Sequence, residues 1–198
     1  MVFTCMVRIL ENWSINMVKF IILDSYRKMR LWINEMPEES SGIVSDKLLE
    51  YNANENIHWF KGMICLELRI APRVASNYAM LCLGFTENQC SKFQIKYSLS
   101  NSDKIVKSDI AMEGDTIKTD IVKKYNSAMT QVFNELDSQN IFPSGTLEIL
   151  GGRHGSIGSS NMAVKIVLRS LLQLFELNEN LNTSDINSLI LQCCRGGL

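Results

Sequence analysis

The spacing of apolar residues along this chain changes from strand-like to helix-like at about residue 100. Residues 63–70 and 92–99 alternate between apolar and polar side chains, which predicts two half-buried β-strands. Residues 78–85 are apolar throughout and predict a strand that is covered on both faces. A shorter apolar run at residues 18–23 predicts a further buried strand.

Helical spacing predominates in the second half of the chain. Apolar residues recur every three or four positions over residues 117–137, which predicts a long amphipathic helix. Residues 146–150 then predict a short strand, and residues 160–176 predict a helix that is apolar on almost every side. Thr183 and Ser184 precede a last helical pattern and are typical of a helix cap.

Strands that cluster before helices predict an α+β fold, with one mixed sheet and helices packed on one face. The segment MPEESSG, residues 36–42, is the best linker candidate because it combines proline, serine and acidic residues. We therefore expect an N-terminal extension and linker over residues 1–42 and a single α+β domain over residues 43–198. Within that domain, Ser45 and Asp46 predict the cap of a short helix that runs through Tyr51.

Composition narrows the possible partners. The chain has 198 residues, of which 46% are hydrophobic and 21% charged, which excludes wholesale disorder. Twenty basic and twenty-one acidic side chains give a net charge of −1, so there is no overall attraction to nucleic acid or to an anionic membrane. No apolar run approaches the roughly 18 residues that a membrane-spanning helix needs. We expect a cytoplasmic protein with no membrane partner.

The six cysteines predict structural thiols in a reducing compartment, since no Cys-x-x-Cys pair is present. Cys65 and Cys82 lie in apolar stretches, where a free cysteine behaves as a small hydrophobic residue.

The segment GGRHGSIGSSNMA, residues 151–163, joins a predicted strand to a predicted helix and is the main candidate for chemistry. Small residues let the backbone approach an anion, and the helix that follows presents unpaired N–H groups. Ser159 and Ser160 have hydroxyls for a phosphate or its magnesium ion, Arg153 adds positive charge, and His154 is a donor for an oxyanion. The alternative is a structural turn, in which the glycines end the strand and a serine is an ordinary helix cap.

Three acidic residues upstream bear on that choice. Asp109, Glu113 and Asp115 are expected to be acids of an exposed loop, unless the fold brings them to the Gly-rich turn.

The sequence SIGSSNMAVKIVLRSLLQLFELNENLNTSDINSL, residues 156–189, resembles the second motif of the GHMP kinases, in which a Gly-Leu-Gly-Ser-Ser loop opens a buried helix. Upstream, Pro72, Ala75-Ser76-Asn77 and Cys82-Leu83-Gly84 are similar to the first motif in its homoserine-kinase form. TDIVKKYNSAM, residues 119–129, lies where that family has the helix before the loop. The resemblance covers roughly residues 64 to 192.

This resemblance implies a ribosomal-protein-like α+β domain that uses ATP and magnesium to phosphorylate a small-molecule substrate. It implies that Gly155, Ser156, Gly158, Ser159 and Ser160 hold the phosphates, with Ser159 or Ser160 near magnesium. Arg153, His154 and Asn77 are further candidates for the same site. The catalytic Asp and third motif of the family lie further downstream than Leu198, so no catalytic residue is assigned, and we expect a fragment or a degenerate member.

A second resemblance competes for the same residues. FPSGTLEILGGRHGSIGSSNMAVKI, residues 142–166, is similar to domain IV of elongation factor G, which has a strand, a loop that contains a histidine, and Asp-Ser-Ser-x-Met-Ala. It implies a module whose loop tip, with His154, contacts ribosomal RNA. A third hypothesis is a non-catalytic interaction domain that keeps only the fold. It is distinguished by whether the N–H groups of residues 155–160 meet an open cavity or acceptors within the protein.

Overall fold

The computed structural model describes residues 17–37, 47–71, 77–99, 104–119, 123–177 and 182–196. The strands in these ranges are β1 (Met17–Ile22), β2 (Arg27–Ile33), β3 (Lys47–Asn52), β4 (Gly62–Ile70), β5 (Asn77–Glu87), β6 (Lys92–Tyr97), β7 (Ile105–Val106), β8 (Ile117–Thr119) and β9 (Gly145–Gly155). The α-helices are α1 (Asn126–Asp137), α2 (Asn161–Glu176) and α3 (Thr183–Gly196), and a single 3-10 turn, Lys123–Tyr125, precedes α1.

The described strands form one mixed sheet in the order β1-β2-β4-β5-β9-β6-β3. Neighbouring strands are antiparallel except for β6 and β9, which are parallel. The short β7–β8 hairpin extends the sheet from β9, because β8 pairs with the C-terminal end of that strand.

The helices pack on one face of this sheet. The apolar side of α2 covers β4 and β5, while α1 and α3 flank α2. Side chains such as Leu66, Leu81 and Phe175 are completely or almost completely buried between the layers. The predicted α+β class, with a mixed sheet and helices on one face, is confirmed.

The other face of the sheet carries no described helix, and we call it the helix-free face. Trp32, Cys65, Met80 and Cys82 form a small buried cluster there. Cys65 and Cys82 are direct partners on β4 and β5, with their Cα atoms 4.0 Å apart, and they form a disulfide. The expectation that both are free thiols is therefore wrong, because the strand register places the two sulfur atoms side by side.

The N-terminal boundary also differs from the prediction. β1 and β2 pair with each other, and β2 pairs with β4 along its full length. Met29, Leu31 and Ile33 of β2 are at most 1% exposed in the main core. Residues 17–33 are therefore part of the sheet and not of an extension that ends at residue 42, while most of the predicted linker lies outside the described residues.

Two predicted helices are partly or wholly strands. The short helix expected after Ser45 and Asp46 is the edge strand β3, in which Leu49 and Tyr51 alternate inward with exposed neighbours. The helix expected over residues 117–137 begins as strand β8 and becomes α-helical only at Asn126. In both places pairing with a distant strand overrides the local pattern.

Strand β1 was expected to be buried, and it is instead a sheet edge. Val18, Phe20 and Ile22 are 45 to 63% exposed on the helix-free face. A cleft lined by Val18 also lies on this side of the sheet.

Candidate functional site

The Gly-rich segment is mostly strand. β9 continues through Gly151 and Gly152, which pair with Cys82 and Leu81 of β5, and it ends at Gly155. Only residues 156–160 form the turn that leads into α2. The sequence therefore placed the turn a few residues too early.

The N–H groups of this turn donate to acceptors within the protein. Gly155 donates to Ser159 Oγ at 2.6 Å, and Ser156 donates to the carbonyl oxygen of Thr116 at 2.9 Å. Ile157 and Gly158 donate to the two carboxylate oxygens of Asp115, each at 3.1 Å. Asp115 thus occupies the position at which a bound anion was expected.

Asp115 and Gly155 fit closely together. The carboxylate of Asp115 lies against the α-carbon of Gly155, so that a β-carbon at this position would collide with it. The absence of a side chain at Gly155 serves the approach of a carboxylate from the protein itself. Among the three upstream acids, Asp115 is the one that the fold brings to the turn.

The two serine hydroxyls are also engaged. Ser159 Oγ donates to the carbonyl oxygen of Tyr78, at the start of β5. Ser160 Oγ donates to Asn77 Oδ1 at 2.8 Å and accepts from the N–H of Ala163 at 3.2 Å, which makes Ser160 the N-cap of α2. The structure thus brings Asn77, Ser159 and Ser160 together, and the contacts among them join β5, the turn and α2.

Arg153 and His154 point to opposite faces of the sheet because they are neighbours on a strand. His154 is 7% exposed on the helix side, where its ring meets Tyr125 edge-on with centroids 6.1 Å apart. Arg153 lies on the helix-free face, beside Met80 of β5 and Thr119 of β8. The sequence grouped these two side chains at one site, and the strand separates them.

Arg153 lines a cleft of about 660 Å³ on the helix-free face, which we call the open cleft. Its charged lining residues are Arg30, Lys107, Arg153 and Glu35, and its apolar lining includes Val18 and Ile105. Counted over the described residues alone, three cations against one acid give the open cleft a positive balance in a protein whose net charge is −1. No local pattern in the sequence marks this site, because its residues come from four separate segments of the chain.

Arg30 is held at one side of the open cleft. Its guanidinium lies over the ring of Trp32, 4.8 Å from the centroid, and pairs with Asp109 at 2.9 Å. Its Nε also lies 3.9 Å from Glu67 Oε2, which is completely buried. Within the described residues, that oxygen of Glu67 has no hydrogen bond.

Tyr78 completes this buried polar group. Its hydroxyl donates to Glu67 Oε1 at 2.6 Å. Burial and the neighbouring Glu67 carboxylate raise the pKa of Tyr78 well above its usual range, so the phenol remains a hydrogen-bond donor at neutral pH. The segment that carries β7 and β8 covers Tyr78 through Val106, Ile110 and Ile117.

In the ranges that the structure describes, no three His, Cys, Asp or Glu side chains come together as metal ligands. Ser159 and Ser160, which the kinase resemblance places near magnesium, have hydroxyls that already bond to β5 and α2.

Comparison of the chain with protein-family models, curated proteins and solved structures yields no match. The two resemblances therefore rest on the residues quoted above. None of the described helices is both long enough and apolar enough to cross a lipid bilayer.

Proposed function

We propose that this chain is a non-catalytic binding domain, and that its Gly-rich turn is a structural joint between β9 and α2. The observation that supports this proposal is the internal use of all four N–H groups from Gly155 to Gly158. A phosphate-binding loop works by aiming such groups at a ligand. Here they hold the β7–β8 segment against the start of α2.

The Asp115 carboxylate opposes the binding of a second anion at the turn. A hydrogen bond from a backbone N–H to a charged carboxylate contributes about 1.5–3 kcal/mol, and Asp115 accepts two of them. A phosphate that approached the turn would meet a negative charge, at a cost of about 4 kcal/mol for unit charges 4 Å apart near a protein surface. Arg153, the cation that was expected to offset such repulsion, lies in the open cleft.

A GHMP-type kinase is the second candidate, and the sequence of strand, turn and Ser-capped buried helix favours it. ATP and magnesium would bind there only if Asp115 left the N–H groups of the turn. The RNA-contacting alternative has less support, because His154 is buried in β9 while Ile157, at 84% exposed, is at the tip of the turn.

A nucleotide titration tests the proposal. The amide resonances of residues 155–160 are followed by NMR while ATP and magnesium are raised to about 5 mM, at which a site with a Kd of about 1 mM would be mostly occupied. We expect these resonances to stay in place. Saturable shifts of residues 155–160 in the wild-type protein would refute the proposal and favour the kinase.

Asp115→Asn is the companion variant, and Glu113→Gln is its control. Asp115→Asn removes the negative charge from the turn, while Glu113→Gln changes an exposed acid two residues away. Shifts that occur only with Asp115→Asn would indicate that the carboxylate closes a latent anion site. ADP release with homoserine, mevalonate or galactose as acceptor is a second readout, and we expect none.

A further inference from the structure

We infer that the open cleft binds a small organic anion, in which one oxyanion is attached to an apolar body. The inference deepens the proposed function and rests on it, because it names the ligand class of the binding domain. The size of the cleft is suitable, since about 660 Å³ lies within the range of small-molecule sites, about 300–1,000 Å³.

Arg153 is the residue that would receive the oxyanion. Its side chain is half-buried at the wall of the cleft, and the guanidinium makes no hydrogen bond or ion pair with any described residue, although its charge acts on the nearby Tyr78 hydroxyl. A guanidinium presents donors in a fixed fork that matches a carboxylate or a phosphate. Its partial burial strengthens the pairing, because less water screens the charge.

The other cations support the same location. Arg30 and Arg153 stand in one row across the sheet, Arg30–Glu67–Met80–Arg153, on strands β2, β4, β5 and β9. Three strand spacings separate their α-carbons, about 14 Å, so the two side chains border the cleft from opposite sides. Arg30 is already paired with Asp109, whereas Lys107 has no partner among the described residues.

The apolar part of the ligand would lie against Ile105 of β7, and Val18 of β1 borders the far side of the cleft. Val18 is 45% exposed and Ile105 is 66% exposed, and both line the cleft. The stripe continues along β1 with Phe20 and Ile22. Exposed apolar side chains beside an unpaired cation favour a ligand that is apolar at one end and anionic at the other.

The probe is 1-anilinonaphthalene-8-sulfonate, a sulfonate on an aromatic body whose fluorescence rises when it leaves water. Displacement by decanoate tests the carboxylate class, displacement by 1-naphthyl phosphate tests the phosphate class, and 1-naphthol is the neutral control. We expect an anion to displace the probe and 1-naphthol to displace it at least about tenfold less well, as the loss of one charge-assisted bond predicts.

Arg153→Gln should weaken probe binding about tenfold or more, and Lys107→Gln should weaken it a few-fold. Arg195→Gln, on the exposed surface of α3, is the matched control and should leave it unchanged. Raising the salt from about 0.1 M to about 0.5 M should weaken the wild-type affinity, because it screens the attraction. Circular dichroism checks that each variant is folded.

Amide shifts in the wild-type protein locate the ligand without any substitution. We expect the largest shifts at residues 105–107 and 151–153. The inference is overturned if the shifts fall elsewhere or if Arg153→Gln binds the probe as tightly as Arg195→Gln. It is also overturned if 1-naphthol competes as well as the anions, or if displaceable binding of the probe is absent up to about 1 mM. Shifts of residues 155–160 with nucleotide would instead overturn the proposed function, so the two failures are distinguishable.

Discussion

At the level of single residues, the Gly-rich turn is held by a carboxylate that lies 42 residues earlier in the chain. The sequence left the Gly-rich segment open between a loop for a bound anion and a structural turn, and Gly155 leaves room for a carboxylate of the protein itself. The sequence identified Asp115 only conditionally, as one of three loop acids. No local pattern pairs Asp115 with Ile157 and Gly158, because their contact depends on β8 pairing with β9.

Asp115→Ala should lower the free energy of unfolding by about 1.5–3 kcal/mol, because the N–H of buried Gly158 loses its charged acceptor, while the bond from the N–H of exposed Ile157 is replaced by a bond to water. Urea denaturation followed by circular dichroism measures the change. Glu113→Gln, an exposed change in the same loop, should stay within about 0.5 kcal/mol of the wild type. Equal stability of the two variants would show that the Asp115 contacts contribute nothing.

Gly155→Ala should be destabilising by about 1–3 kcal/mol, because its β-carbon would collide with the Asp115 carboxylate. The penalty should shrink when Asp115→Ala is present in the same chain, since the colliding group is then gone. A double-mutant cycle in urea measures this coupling. Strictly additive effects would contradict the close fit of these two residues.

At the level of elements, the spacing of apolar residues predicted the strands and helices in which those same apolar residues are the buried ones. Strands β4, β5 and β6 and helix α2 lie within a few residues of their expected bounds. β3 and β8 were missed because a short segment with helix-like spacing is held extended by its neighbours β6 and β9. Local preference is weak compared with pairing to a preformed sheet edge.

Glu176, the last residue of α2, makes the stability of the helical layer depend on pH. Burial raises the pKa of Glu176 to about 7, and within the described residues its Oε1 has no hydrogen bond. It lies in the groove between α2 and α3 that Asp185 also lines. In the unfolded chain, Glu176 has the ordinary glutamate pKa of about 4.3 and loses its proton above that pH. The folded protein keeps this proton up to about pH 7, so the free energy of unfolding falls as pH rises from about 4.3 to about 7.

Glu176→Gln should flatten that slope and be more stable than the wild type above about pH 7. Urea denaturation at about pH 5, 6, 7 and 8 measures it, and Glu148→Gln on the exposed side of β9 is the control. A wild-type stability that rises over this interval, or a variant with the same slope as the control, would contradict the assignment.

At the level of the whole molecule, the sheet includes β1 and β2, which were predicted to lie in an N-terminal extension. The acidic and serine-rich residues at 36–42 resembled a domain boundary, but β2 crosses the same core as β4. Composition reports only the local character of the chain. Membership of the sheet depends on register, which a single sequence does not show.

A chain shortened to residues 43–198 should fail to fold, whereas one shortened to residues 17–198 should retain a cooperative unfolding transition. Met29, Leu31 and Ile33 each contribute about 1.5–3 kcal/mol through burial, which together approaches the whole stability of a typical domain. Thermal unfolding measured by circular dichroism compares the two chains. A cooperative transition in the shorter chain would restore the predicted boundary.

The central position of β9 has a consequence for the order in which the molecule assembles. Strands β1, β2, β4 and β5 form one block of the sheet and β6 with β3 forms another, and β9 alone bridges the two in the described strand order. Any form of the chain in which β9 is not yet in place leaves β5 and β6 without their shared neighbour, and such open strand edges favour association between copies.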